Sequence, residues 1–208
     1  MRKYGAFLVA MVILAGGCAP ADRKLPPVVT VEEYREEPIT PGRYLEYLQY
    51  RSRLGAALPG APDIQVTPQS ILSNECGVCV IVSVARFYGD EASYVDVKKE
   101  VLGTHAQGTS IAAIEQWFVD RKYSHVQRYY GVRDEDTFAR ELKTGALIVA
   151  LIYAFRDGFG PNHFVVASCV EGGKVNVVDS RIGTYSEPLE FFLSQRSLMQ
   201  GQWIAVRR

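Results

Sequence analysis

Three things are scarce in this 208-residue chain: histidine, with three residues, tryptophan, with two, and any excess of charge, with 23 Lys plus Arg against 23 Asp plus Glu. Charge balance, with no basic stripe interleaved by aromatics, excludes an electrostatic footprint for nucleic acid, so no nucleic-acid partner is expected. No His, Cys or carboxylate spacing resembles a zinc site, and neither a metal nor a cofactor is expected. Internal repeats are absent too. The apolar stretch from Gly5 to Leu14 is far shorter than the ~20 residues a membrane-spanning helix needs. Hydrophobic residues at 48% and charged residues at 22% are nonetheless ordinary for a chain that buries one core.

The short apolar stretch has its own meaning. Arg2 and Lys3 precede it and Leu14-Ala15-Gly16-Gly17-Cys18 follows. A basic start, a brief apolar region and small residues before a cysteine make an export signal. Cleavage just before a cysteine is similar to the bacterial lipoprotein signal. That likeness implies a signal peptide over 1–17, a lipid on Cys18 and a lipid anchor to the membrane. Ala19, rather than Asp, follows the cysteine, which by the same likeness implies the cell envelope and an outer-membrane position facing the periplasm. Loss of Arg2 and Lys3 with the signal leaves a mature balance of about minus two. With Cys18 lipidated, Cys76, Cys79 and Cys169 remain, and an odd number in an exported protein leaves at least one free thiol.

Residues 18–65 read as a tether, with prolines at 20, 26, 27, 38, 41, 59 and 62 among charges. Within it, Tyr44 to Leu54 has the apolar spacing of a short helix. One domain over 66–208 follows. Cys76 to Tyr88 is apolar almost all round and closes on Gly89, which predicts a buried helix. Further helices are predicted over 93–102, from a cap at Thr109 or Ser110 to Arg121, and over 134–144. Strands are predicted over 146–154, 163–170, 174–179 and 202–206, the middle two joined by the turn Glu171-Gly172-Gly173. Helices first and strands last predict an α+β fold, with N-terminal helices packed on a C-terminal antiparallel sheet.

The hairpin carries the chemical signal. Folded about its glycines, it sets His163 opposite Asp179 or within one residue, so an imidazole and a carboxylate can touch. A carboxylate there fixes the histidine tautomer and stabilises its charged form. Cys76 stands at a predicted helix start, where the dipole and free N–H groups lower a thiol pKa, and Gly77 leaves room for a substrate backbone. Cys79, one turn further in among valines, and Cys169, near the turn, read as inert core thiols. His105 and His125 read as incidental, and Tyr44–Tyr50 and Tyr129–Tyr130 as packing or surface residues.

The stretch Gln69 to Gly89 (QSILSNECGVCVIVSVARFYG) resembles the start of C39-type papain-like cysteine peptidases, which process bacteriocin leader peptides. Glu75-Cys76-Gly77 and Tyr88-Gly89 match its ends, Gly108-Thr109-Ser110 a further feature, and His163-Phe164-Val165-Val166 and Val177-Val178-Asp179 the histidine and aspartate strands. The resemblance covers about residues 66 to 208 and implies a papain-like fold, a peptide or protein substrate and a Cys76–His163–Asp179 triad. Cys76 would attack a carbonyl, His163 would move the proton and Asp179 would orient His163. It also implies that Gln69 joins the Cys76 N–H in holding the oxyanion, a donor of this kind being worth ~3 kcal/mol. Six residues separate Gln69 from Cys76, one more than the family spacing. The best-known members are cytoplasmic exporter domains that cut after Gly-Gly; an export signal in their place means that this preference is not expected to carry over. Exported stand-alone relatives include an accessory peptidase of a functional-amyloid secretion system, which makes secretion-system components candidate partners.

Three other readings compete. Cys76-Gly77-Val78-Cys79 is a thiol–disulfide oxidoreductase pattern, but that reading leaves His163 and Asp179 unexplained and lacks the expected strand–helix–strand unit before the thiols. A cell-wall hydrolase of the NlpC/P60 type would carry Asp-Cys-Ser-Gly, which is absent. A non-catalytic, peptide-binding relative would have no need of all three triad residues.

Overall fold

The computed structural model describes residues 54–69, 73–102, 108–153, 162–194 and 198–208. The chain divides into two compact units, Met1–Tyr34 and Arg35–Arg208, and all described residues belong to the second. Cys18, His105, Tyr44–Tyr50 and the helix expected over 44–54, save Leu54 itself, lie outside the described residues.

Helix α1 (Cys76–Phe87) is buried from Cys76 to Ala85, as a segment without a polar face must be. It ends at Gly89, whose φ of +82° stops a helix at no steric cost. Tyr88 then anchors that end: its hydroxyl donates to the Val206 carbonyl at 2.8 Å and accepts the Leu147 N–H at 3.2 Å. Helices α2 (Tyr94–Leu102) and α3 (Ile111–Asp120) lie beside α1, and the Ser110 hydroxyl caps α3 through the Ala113 N–H at 3.1 Å. Strand β1 (His125–Tyr129), helix α4 (Glu135–Lys143, capped by Asp134), β2 (Leu147–Tyr153), β3 (Asn162–Glu171), β4 (Lys174–Asp179), β5 (Gly183–Pro188), α5 (Leu189–Leu193) and β6 (Leu198–Arg207) complete the order.

The six strands make one sheet in the order β1-β6-β2-β3-β4-β5, antiparallel at every pair. Alternation along β2 divides the interior. Leu147, Val149 and Leu151 join α1, α2 and α3 in one core; Ile148, Ala150 and Ile152 join Phe138 of α4, Phe192 of α5 and Trp203 in the other. The continuous apolar run of β2 follows from burial on both faces. Helices therefore cover the sheet on both sides, α1 to α3 on one and α4 and α5 on the other, within the expected α+β arrangement of helices packed on an antiparallel sheet. Strand β5 and helix α5 were not expected from sequence, and β6 starts at Leu198, earlier than 202.

Part of the span read as tether is held to the sheet. Gly55 and Ser186 exchange main-chain hydrogen bonds at 3.1 Å, and the Leu58 N–H donates to Asn176 Oδ1 at 3.0 Å. Ile64 is buried in the first core. Among the described residues no helix is long and apolar enough to cross a membrane.

Candidate active site

Cys76 is the first residue of α1. Glu75, the residue before the helix, gives it no side-chain cap among the described residues. The Glu75 carboxylate turns instead to the Tyr94 hydroxyl and the Lys98 ammonium on α2, and the hydrogen bond from Lys98, then that from Tyr94, hold it below its ordinary pKa. The first helical bond, Cys79 N–H to Glu75 O at 2.9 Å, leaves the amides of the first turn without a side-chain cap, where they favour negative charge. Gly77 has a different role from the one expected. A Cβ there would lie 2.5 Å from the Thr109 Cβ, so the missing side chain admits Thr109 rather than a substrate backbone.

His163 and Asp179 come from the same end of β3 and β4. The His163 Nε2–H donates to Asp179 Oδ1 at 2.8 Å, with both residues buried. Their register departs from the simple hairpin. Glu171 pairs with Lys174, but a bulge between Ala167 and Cys169 shifts the ladder so that Val166 pairs with Val178. One step further, Asp179 stands across from Val165, and His163 meets it diagonally rather than face to face. Ser168, the extra residue, is buried, and its hydroxyl accepts from Asn176 Nδ2 at 2.9 Å. The Arg181 main-chain N–H also donates to Asp179 Oδ1, at 2.7 Å.

Thiol and imidazole perturb each other in opposite directions. Burial opposes ionisation of Cys76, but a hydrogen-bonding interaction with His163, its charge, the Phe164 N–H and the Arg181 charge outweigh it, and the thiol falls below its ordinary pKa. Burial likewise disfavours charge on His163, yet the Asp179 carboxylate, against the opposing Arg181, carries its pKa above the ordinary value. The two shifts favour a thiolate–imidazolium pair. His163 Nδ1 makes no full hydrogen bond among the described residues; its coupling to Cys76 is a close approach short of that geometry.

Cys79 is a different thiol. It is 0% exposed against 8% for Cys76, and burial, then the neighbouring Cys76, push its pKa up to about 12. Its thiol makes a weak contact to the Pro68 carbonyl at 3.9 Å. Cys169 is half-buried with its pKa raised by burial, and all three thiols are free. Gln69 bonds to residues that flank the triad positions in the chain. Its side-chain amide donates to the Ser73 carbonyl and accepts from the Ser180 hydroxyl at 2.8 Å, while its main-chain N–H donates to Ser180 O at 2.9 Å. It thus ties the loop before Cys76 to the residue after Asp179. His125 is distant from this chemistry and donates to Glu141 at 3.0 Å. Tyr129 donates to the same carboxylate and stacks on Trp203 at 3.8 Å, a packing role.

Two contributors to the site had not been singled out from sequence. The Phe164 N–H is main chain and leaves no mark in residue identity. Arg181 could have been flagged as a charged residue in the turn just beyond Asp179.

A thiol at a helix start beside an imidazole from a sheet, on a mixed helix and antiparallel-sheet scaffold, defines the papain-like class of cysteine peptidases. The chain belongs to the Peptidase C39 family, whose model matches residues 65–197, and it is a cysteine peptidase of that family. Two solved structures have a similar fold. A double glycine motif protease from an AMS/PCAT transporter, solved in complex with the leader peptide, is 17% identical with a TM-score of 0.51, over 75% of this chain and 100% of that one. The peptidase domain of Streptococcus ComA, a bi-functional ABC transporter involved in a quorum sensing pathway, is 20% identical with a TM-score of 0.52, over 70% of this chain and 100% of that one. No curated protein matches.

Proposed function

We propose that this peptidase cleaves a peptide or exported protein through a Cys76–His163–Asp179 triad, from a lipid anchor at Cys18 in the cell envelope. The observation that carries the triad is the 2.8 Å bond between His163 and Asp179, beside a thiol at an uncapped helix start. In this reading the Cys76 thiolate attacks the scissile carbonyl. The oxyanion lies against the Cys76 N–H, with the second Gln69 amide hydrogen as the further donor, its first being held by Ser73. The His163 imidazolium protonates the leaving amine, then takes a proton from the water that releases the acyl group, while Asp179 holds the ring. The double-glycine and leader-peptide descriptions of the structural relatives support a peptide substrate. The envelope position rests on the export signal and cysteine at 18, and secretion-system components are the candidate partners through the likeness to exported stand-alone relatives. Acid quenching during turnover of a peptide mixture should trap an acyl thioester on Cys76, read as an added mass on its tryptic peptide. Turnover with the adduct on another residue, or with none under single-turnover conditions, would remove Cys76 from the role.

The thiol oxidoreductase reading is less well supported. Cys79 is inaccessible, and a thiol with a pKa near 12 supplies little thiolate to resolve a mixed disulfide.

A further inference from the structure

Buried polar groups without partners gather at this site. Thr109 Oγ1 beside Gly77, His163 Nδ1 and Arg181 Nε are each buried with no hydrogen-bond partner among the described residues. Folded proteins satisfy almost all such groups, and each exception costs about 1–3 kcal/mol. The histidine is explained by the thiol it serves. Arg181 requires a different explanation.

Its backbone is fixed by the site, since its N–H donates to the same Asp179 oxygen that holds His163. Its side chain is half-buried in the turn between β4 and β5. No described carboxylate forms an ion pair with it, although the other ion pairs formed here by Lys and Arg engage Glu75, Glu100, Glu115 and Asp90. The guanidinium charge is nevertheless felt at Cys76, Cys79 and His163, so it lies within electrostatic reach of the reacting atoms. A partly desolvated guanidinium at an active site, with its Nε unbonded and no described carboxylate paired to it, has a strong interaction in reserve for an anion brought by the substrate. The planar fork of arginine matches a carboxylate, which it binds with two parallel hydrogen bonds.

We infer that Arg181 is a specificity residue that binds a substrate carboxylate close to the scissile bond. This rests on Cys76 being the nucleophile. The carboxylate can belong to an acidic side chain or to the chain terminus of a short substrate, and recognition is the same for both.

Two alkylating reagents of nearly equal size test the inference without a known substrate. Iodoacetate carries a carboxylate and iodoacetamide its neutral amide. The rate ratio of iodoacetate to iodoacetamide at Cys76 should exceed that of a cysteine in an unstructured peptide by about tenfold. Arg181→Gln should lower the ratio several-fold, to the share that the neighbouring His163 imidazolium supplies alone, and Arg181→Lys should leave it between that value and the wild type. Peptide pairs then separate the sources. A Glu-to-Gln change beside the cleaved bond should lower kcat/KM by about tenfold or more if a side chain is read, and C-terminal amidation should do so if the terminus is read. A wild-type alkylation ratio equal to that of the free peptide would overturn the inference, even if Arg181→Gln failed to fold. So would an unchanged ratio in a folded Arg181→Gln, whether both reagents are slowed equally or not at all, which would assign the preference for the anionic reagent to His163. Failure of the underlying reading has a different signature, namely peptide cleavage that survives Cys76→Ala.

Discussion

At the scale of single residues, Asp179 decides the charge state of the site. Its carboxylate is the main influence raising the His163 pKa, against burial, while His163 in turn helps to lower that of Cys76. In the proposed mechanism the active form is the thiolate–imidazolium pair. Activity should therefore be lost on the acid side as the thiolate takes up a proton, and on the alkaline side as the imidazolium gives one up, the two pKa values belonging to the pair. Asp179→Asn keeps an oxygen acceptor for the ring but removes the charge. It should fold normally, lose about 10- to 100-fold in kcat/KM and move the alkaline limb to lower pH. A pH–rate profile with circular dichroism checks this, and an unfolded variant would assign Asp179 to structure instead. The His–Asp contact was legible in the sequence because a Gly-Gly turn folds the two strands onto each other. The register was not, because the bulge at Ser168 depends on Asn176, whose side chain bridges Ser168 and Leu58.

At the scale of elements, the start of α1 is built by two loops pressed together. Gly108, with φ +91°, lies against the Asn74 carbonyl, and Thr109 fills the space that Gly77 leaves. Gly77→Ala should cost about 1–2 kcal/mol, because overpacking against Thr109 outweighs the helix preference of alanine. Thr109→Gly in the same chain should restore most of that loss. Urea unfolding of the single and double variants measures it, and additive effects would show that the two positions do not meet. Sequence marked α1 to α4 and the strands β2, β3 and β4 because each has a long apolar run or a clear cap. It did not mark β5, since Gly183-Thr184-Tyr185-Ser186-Glu187-Pro188 has one large apolar residue and reads as a loop. Pairing with β4 and the bridge to Gly55 make it a strand. The five-residue α5 is too short to show a period.

At the scale of the whole molecule, the sheet is covered on both faces and its β5 edge is joined by Gly55. The chain that leads to Cys76 thus crosses the edge nearest β4 before it reaches the site. This contact was not legible because residues 54–62, rich in Gly, Ala and Pro, have no pattern of their own and are ordered by Ser186 and Asn176. Anchoring is a separate claim about the N-terminus. Intact mass of the protein from a membrane fraction should show a mature chain starting at Cys18 with added lipid mass. An unlipidated chain with another N-terminus would contradict the anchor.

The proposed catalysis requires Cys76 to act alone. Cys79, one turn below it, is closed to solvent and its pKa is raised by burial. The deciding measurement is peptide cleavage by Cys76→Ala and Cys79→Ser side by side, with a disulfide-reduction assay on the wild type. Cys76→Ala should show no cleavage, Cys79→Ser should keep most of the activity with a stability cost of about 1–3 kcal/mol for a hydroxyl in an apolar site, and the wild type should show no reductase turnover. A folded Cys79→Ser as inactive as Cys76→Ala, together with disulfide reduction by the wild type, would contradict the proposed catalysis.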